Sequence, residues 1–111
     1  MPIYAANNIC RGLRRLGTPL AGVICNSREA LGEREIVESF AKELDNRMVA
    51  FIPKDPLVQE YERKGVTVIE GAPTSEIAGI YRKLAKTVME DAEPKVPKPI
   101  SDERLRELSR A

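Results

Sequence analysis

Five apolar residues of the first sixteen positions, Ile3, Ala6, Cys10, Leu13 and Leu16, stand three or four apart, the repeat that keeps one face of an α-helix dry. Gly17-Thr18-Pro19 ends that repeat. The next run, Leu20-Ala21-Gly22-Val23-Ile24-Cys25, is continuously apolar and bracketed by turn formers, which predicts a strand buried on both faces in a parallel sheet, with Asn26 at its carboxyl end. Helical spacing returns from Glu33 to Leu44, where Ile36, Val37, Phe40, Ala41 and Leu44 share a face and acids occupy the first turn. Met48 to Ile52 predicts a second buried strand, left through Pro53-Lys54-Asp55-Pro56. A short helix over Leu57 to Lys64 stops at Gly65, and the β-branched stretch Val66-Thr67-Val68-Ile69 predicts strand or strand-like backbone. Ser75 caps a long helix with Ile77, Tyr81, Leu84 and Val88 as its apolar stripe. Pro94, Pro97 and Pro99 form a stiff connector, and Ser101 caps a charged helix whose only leucines, Leu105 and Leu108, predict light docking.

Helices alternate with strands, so the fold class is α/β, with a mostly parallel sheet and helices on its faces. Two secure strands, or three with 66–69, are few for a parallel sheet. The chain also opens on a helix instead of the strand and glycine-rich turn that begin a nucleotide-binding βαβ unit. It is therefore expected to be a piece of a larger unit whose amino-terminal half is missing. Residues 1–92 form the α/β part, and 93–111 the proline-rich connector and last helix.

Composition narrows the chemistry. With 18 basic and 17 acidic residues in 111, the net charge is +1, and no global field draws nucleic acid or an acidic membrane. Arg11, Arg14 and Arg15 fall on the polar side of the first helix, where they read as a solvated face. Neither a membrane span nor a signal-peptide core is present in the pattern, so a cytoplasmic location is expected. The absence of histidine removes Ser-His and Cys-His nucleophile pairs. Cys10 and Cys25 lack metal-ligand spacing and are expected to be reduced, buried thiols.

The nearest approach to a phosphate loop, Gly17 to Gly22, is followed by Val23-Ile24 instead of Lys and Ser/Thr, and it precedes a strand instead of following one. Hydrolysis by this chain alone is not expected. What remains is a polar constellation at the two strand ends, Asn26-Ser27-Arg28 and Pro53-Lys54-Asp55. Ligands of open α/β sheets bind at the carboxyl ends of strands, and an amide with a carboxylate can read a purine edge. Helix capping and turn formation are the commoner use of the same residue types in such loops.

The words Tyr4-Ala5-Ala6-Asn7-Asn8-Ile9, Ile24-Cys25-Asn26-Ser27-Arg28, Phe51-Ile52-Pro53-Lys54-Asp55, Val58-Gln59 and Thr67-Val68-Ile69-Glu70 follow one another here, as do Tyr81-Arg82 and Pro99-Ile100. In that order they resemble the nitrogenase iron protein family over nearly the whole chain. Light-independent protochlorophyllide reductase ATPases and the nickel-tetrapyrrole reductive cyclase ATPase are similar. The resemblance implies the C-terminal half of a P-loop-NTPase-like three-layer fold. It further implies a homodimeric, ATP-dependent electron donor with one [4Fe-4S] cluster between subunits and a nitrogenase-like catalytic component as partner.

By the same resemblance the phosphate loop and the cluster cysteines lie upstream of this part. Cys25 matches a structural cysteine, and Cys10 stands where relatives carry small residues. The adenine side of the ATP site does carry over. Asn26 matches an adenine-binding asparagine, and Pro53, Lys54 and Asp55 match the adenine-contacting loop, with lysine in place of arginine and so without its planar stacking fork. Val58, Gln59 and Glu62 match residues lining base and ribose, and Tyr81 matches an aromatic at the pocket edge, where Ile77 replaces a glutamine. The loop before the first strand is shorter than in classical members. The implied function is the nucleoside-binding part of an iron-protein-like ATP-dependent reductase; the alternative is a stand-alone, non-catalytic α/β domain with a regulatory or interaction role.

Overall fold

In the computed structural model, which describes residues 2–110, a pair of parallel strands is placed between helices. The first helix, α1 (Pro2–Leu16), follows the spacing of its apolar positions as far as Leu13, while Leu16 is largely exposed beside the helix stop. Strand β1 is Val23–Asn26, shorter than the apolar run that contains it. Leu20, at the start of that run, instead pairs antiparallel with Lys95. Gly22 lies between the two arrangements with φ +155°, and a Cβ there would collide with the Val49 side chain. Any other residue there would be strained in its backbone and would force Val49 to shift.

Helix α2 (Glu33–Glu43) leads to β2 (Met48–Ile52), which pairs with β1 so that Cys25 lies beside Phe51 and Asn26 beside Ile52. Because side chains alternate along a strand, Val23, Cys25 and Phe51 share one face and Ile24, Asn26, Ala50 and Ile52 the other. The first face receives α2, whose Arg34 guanidinium sits 5.0 Å from the Phe51 ring centre. The second receives α5 (Glu76–Glu90). Cover is incomplete: Ile24 remains 48% exposed, so β1 is buried on one face and not on both as the apolar run predicts.

Two helices connect β2 to α5. Helix α3 (Pro56–Arg63) starts immediately after the strand, with Asp55 as its cap. The predicted strand at residues 66–69 is replaced by α4 (Val68–Gly71). Here a local hydrogen-bond pattern outweighs β-propensity: the Thr67 hydroxyl accepts from the Glu70 N–H at 3.2 Å and donates to Glu70 Oε1 at 3.1 Å. Thr-x-x-Glu is a helix-start pattern, and Val68 then points into the core. Gly71 closes α4 against the Tyr61 ring, in space that a Cβ would need.

The core has two parts. Ile3 and Cys10 of α1, Phe40 and Leu44 at the end of α2, and Leu105 and Leu108 of the last helix, α6 (Asp102–Arg110), form one. Ile52, Val68 and Ile77 form the other, with Ala50, Leu57, Val58, Tyr61, Tyr81 and Leu84 around them. Leu105 is only 1% exposed, so α6 docks deeply, contrary to the light docking that two leucines predict. The connector brings it there. Lys95 exchanges both backbone hydrogen bonds with Leu20, the Lys98 N–H donates to the Leu44 carbonyl at 2.8 Å, and Ile100 is held by the buried Asn7 side chain. At α6 itself, Arg11 meets Asp102 at 3.0 Å and Arg104 meets Glu43 at 2.7 Å.

Candidate functional site

Parallel pairing sets the carboxyl ends of β1 and β2 side by side, and the Ser27 N–H extends the ladder by donating to the Ile52 carbonyl at 2.9 Å. Asn26 and the Pro53-Lys54 turn are therefore neighbours. All three are exposed. Asn26 lies on the same sheet face as Ile52, the face that α5 covers, and Tyr81 of α5 packs half-buried on the cluster containing Ile52.

Asp55 is half-buried, and its Oδ1 accepts the Leu57 N–H at 2.9 Å, capping α3. Capping and ligand reading do not exclude each other in a carboxylate, since one oxygen is used at the cap and the other is free to accept. From Asp55, the positions of Val58, Gln59 and Glu62 follow at +3, +4 and +7, one face of α3. Val58 leans on the Ile52 cluster, while Gln59 and Glu62 are exposed. Ile77 is buried in that cluster at 1% exposure and lies beneath the surface, not at a pocket edge.

The arrangement is an open shelf. Of two cavities described in the structure, one of about 140 Å³ is lined by Gly22, Ile24, Val49 and Val88 near the amino ends of the strands, opposite Asn26. The other, about 300 Å³, lies between α2 and α6 at Ile36, Ser39 and Leu108. Neither contains Asn26, Asp55 or Tyr81. One residue that the apolar pattern leaves unmarked belongs to the shelf: the Glu33 carboxylate reaches back to the turn after Asn26, accepting from the Ser27 hydroxyl at 2.7 Å and the Arg28 N–H at 2.9 Å. The available signal was a serine six residues before an acid in the first turn of a helix.

A family model described as 4Fe-4S iron sulfur cluster binding proteins, NifH/frxC family, matches residues 1–111. The chain belongs to that family. Nitrogenase iron protein 2 of Methanothermobacter thermautotrophicus is 46% identical over 110 residues, which cover 99% of this chain and 42% of that protein. Nitrogenase iron protein 2 of Rhodobacter capsulatus is 42% identical over 95% of this chain and 40% of its own length. The nitrogenase iron protein of Methanospirillum hungatei is 40% identical over 100% of this chain and 42% of its own length. This NifH/frxC-family chain thus spans about two fifths of the length of the curated relatives it matches.

The family's description names a [4Fe-4S] cluster, which requires thiolate donors. Cys10 is a buried free thiol within the α1–α2–α6 core, and Cys25 is one on the α2 face of β1. Burial pushes both pKa values up; at Cys25 Glu33 adds to the rise and Arg34 opposes it. Among the described residues no three His, Cys, Asp or Glu side chains gather in a way that could hold a metal ion. The thiols of this chain do not fit a cluster. At the strand ends, Asn26 is exposed, with an amide that offers a donor and an acceptor, while Asp55 and Tyr81 are half-buried.

Proposed function

We propose that this chain forms the adenine and ribose side of the ATP site in a nitrogenase-iron-protein-like, ATP-dependent electron-transfer reductase, as the carboxy-terminal half of a three-layer phosphate-loop fold. The observation that carries this reading is the adjacency of Asn26 and the Pro53-Lys54-Asp55 turn at paired parallel strand ends, in a chain of the NifH/frxC family. Asn26 and Asp55 pair with the polar edge of the base, Tyr81 covers its side, and Val58, Gln59 and Glu62 run along base and ribose. Lys54 supplies a positive charge without directional stacking. Bound ATP supplies the energy that makes docking and electron delivery directional in such a reductase. The complete reductase is a cytoplasmic homodimer whose [4Fe-4S] ligands lie outside this chain, and a nitrogenase-like catalytic component receives its electrons.

The shelf lacks a phosphate loop, so most charge-assisted contacts to a triphosphate are absent from this chain. Adenosine and ATP should then bind about equally, near millimolar affinity, or about 4 kcal/mol. Titration of the 111-residue chain followed by amide resonances tests this. Shifts are expected at Asn26, 53–55 and Tyr81, and loss of binding in Asp55→Asn, which keeps the cap but removes the carboxylate. Micromolar binding that requires the triphosphate, or shifts confined to other residues, would overturn the reading.

A further inference from the structure

The turn after Asn26 is tied down by a side chain from the next helix. Glu33, the first residue of α2, spreads its carboxylate over two donors, with Oε1 accepting from the Ser27 hydroxyl at 2.7 Å and Oε2 from the Arg28 N–H at 2.9 Å. The Ser27 Oγ in turn accepts from the Glu29 N–H at 3.0 Å. Glu29 has φ +61°, a left-handed conformation that a non-glycine residue keeps only where its surroundings impose it. With the Ser27 N–H on the Ile52 carbonyl, the turn is fixed to β2 on one side and to Glu33 on the other.

We infer that Glu33 is a positioning residue for base recognition: its carboxylate fixes the turn over residues 27–29 so that Asn26 presents its amide at the strand end. The inference rests on the adenine-shelf reading above. A purely local role is also available to an acid at this place, since any negative charge in the first turn favours the helix dipole. The two roles demand different chemistry. The dipole requires charge, which aspartate supplies and glutamine does not. Positioning requires length and two hydrogen bonds: glutamine keeps the length, with its carbonyl accepting from the Arg28 N–H and its amide donating to Ser27 Oγ, whereas aspartate is one methylene shorter and reaches neither.

Glu33→Ala, Glu33→Asp and Glu33→Gln in the 111-residue chain separate them. Amide hydrogen exchange at Arg28 and Glu29 and adenosine titration followed at Asn26 are the two readouts, with the Leu57 amide on its Asp55 cap as internal control. Loss of the two hydrogen bonds to residue 33 is expected to speed exchange at Arg28 and Glu29 by about tenfold or more in the Ala and Asp variants, leaving Leu57 unchanged. Adenosine affinity should fall about tenfold in both, and Glu33→Gln should stay within about threefold of the parent chain. Wild-type behaviour of Glu33→Asp with failure of Glu33→Gln would overturn the proposal in favour of the dipole. Unchanged protection in Glu33→Ala, or adenosine binding equal to wild type in that variant, would also overturn it. A parent chain in which adenosine leaves Asn26 unmoved overturns the shelf reading and with it base positioning, and the exchange order of the variants then decides separately whether Glu33 holds the turn.

Discussion

Asn7 has no exposed surface, yet its amide is fully employed: Nδ2 donates to the Ile100 carbonyl at 2.8 Å and Oδ1 accepts the Ile100 N–H at 2.9 Å. One side chain thereby pairs with a backbone unit as a neighbouring strand would. Removing it strips the half-buried Ile100 N–H of its partner and leaves the Ile100 carbonyl only a 3.5 Å contact from Arg11, so Asn7→Ala should cost about 1–3 kcal/mol, visible as a lower urea midpoint at unchanged slope. The thiols give a pH effect of definite sign. Burial raises the pKa of Cys10 and Cys25, so the folded chain keeps protons that the unfolded chain releases. Their contribution is complete below the ordinary thiol range and is lost as pH rises above about 8.5. Unfolding midpoints should therefore decline through the alkaline range, and the decline should be shallower in Cys10→Ala/Cys25→Ala. A parallel decline in the double variant would assign the effect to other groups.

At the scale of elements, α6 shows how position can exceed composition. Its two leucines fill the space between Ile3, Cys10, Phe40 and Leu44, so Leu105→Ala should cost about 2–5 kcal/mol by urea unfolding, whereas an ornamental surface helix would lose well under 1 kcal/mol. Apolar spacing marks α1, α2, α5 and both strands, because each buries a face whose period is set by its own backbone. The depth of α6 was not visible in that way. It depends on Lys95, Lys98 and Ile100 bonding to residues up to 93 positions earlier, and no local window contains both partners. Helix α4 was legible in principle from Thr67 and Glu70, but four β-branched residues in a row pointed to a strand. The shelf was readable at Asn26 and Asp55 because strand ends are readable. Glu33 was not, since a carboxylate turning back six residues leaves no periodic trace.

The whole molecule measures 42 × 31 × 20 Å with a radius of gyration of 15.6 Å, against about 13 Å for a compact chain of this length. The excess reflects two cores joined by a two-stranded sheet instead of one. Near the amino ends of the strands, Ile24 at 48%, Val88 at 50% and Met89 at 85% exposure leave apolar surface uncovered. Such surface promotes association, so light scattering of the 111-residue chain should show concentration-dependent oligomers, and Ile24→Lys/Val88→Glu should return it to a monomer. A monomer at all concentrations would contradict this.

The bond between Asn7 and Ile100 has a consequence for how the chain is made. A ribosome releases α1 well before α6, with Ile3 and Cys10 facing a space that α6 has not yet come to fill. Several tens of residues must emerge before Lys98 can reach Leu44, and the leucines of α6 come later still. Partners so far apart along the chain make closure slow and late. During synthesis, then, α1 waits for the helix that completes its core, and it spends that interval as an exposed apolar stripe of the kind that holding chaperones bind.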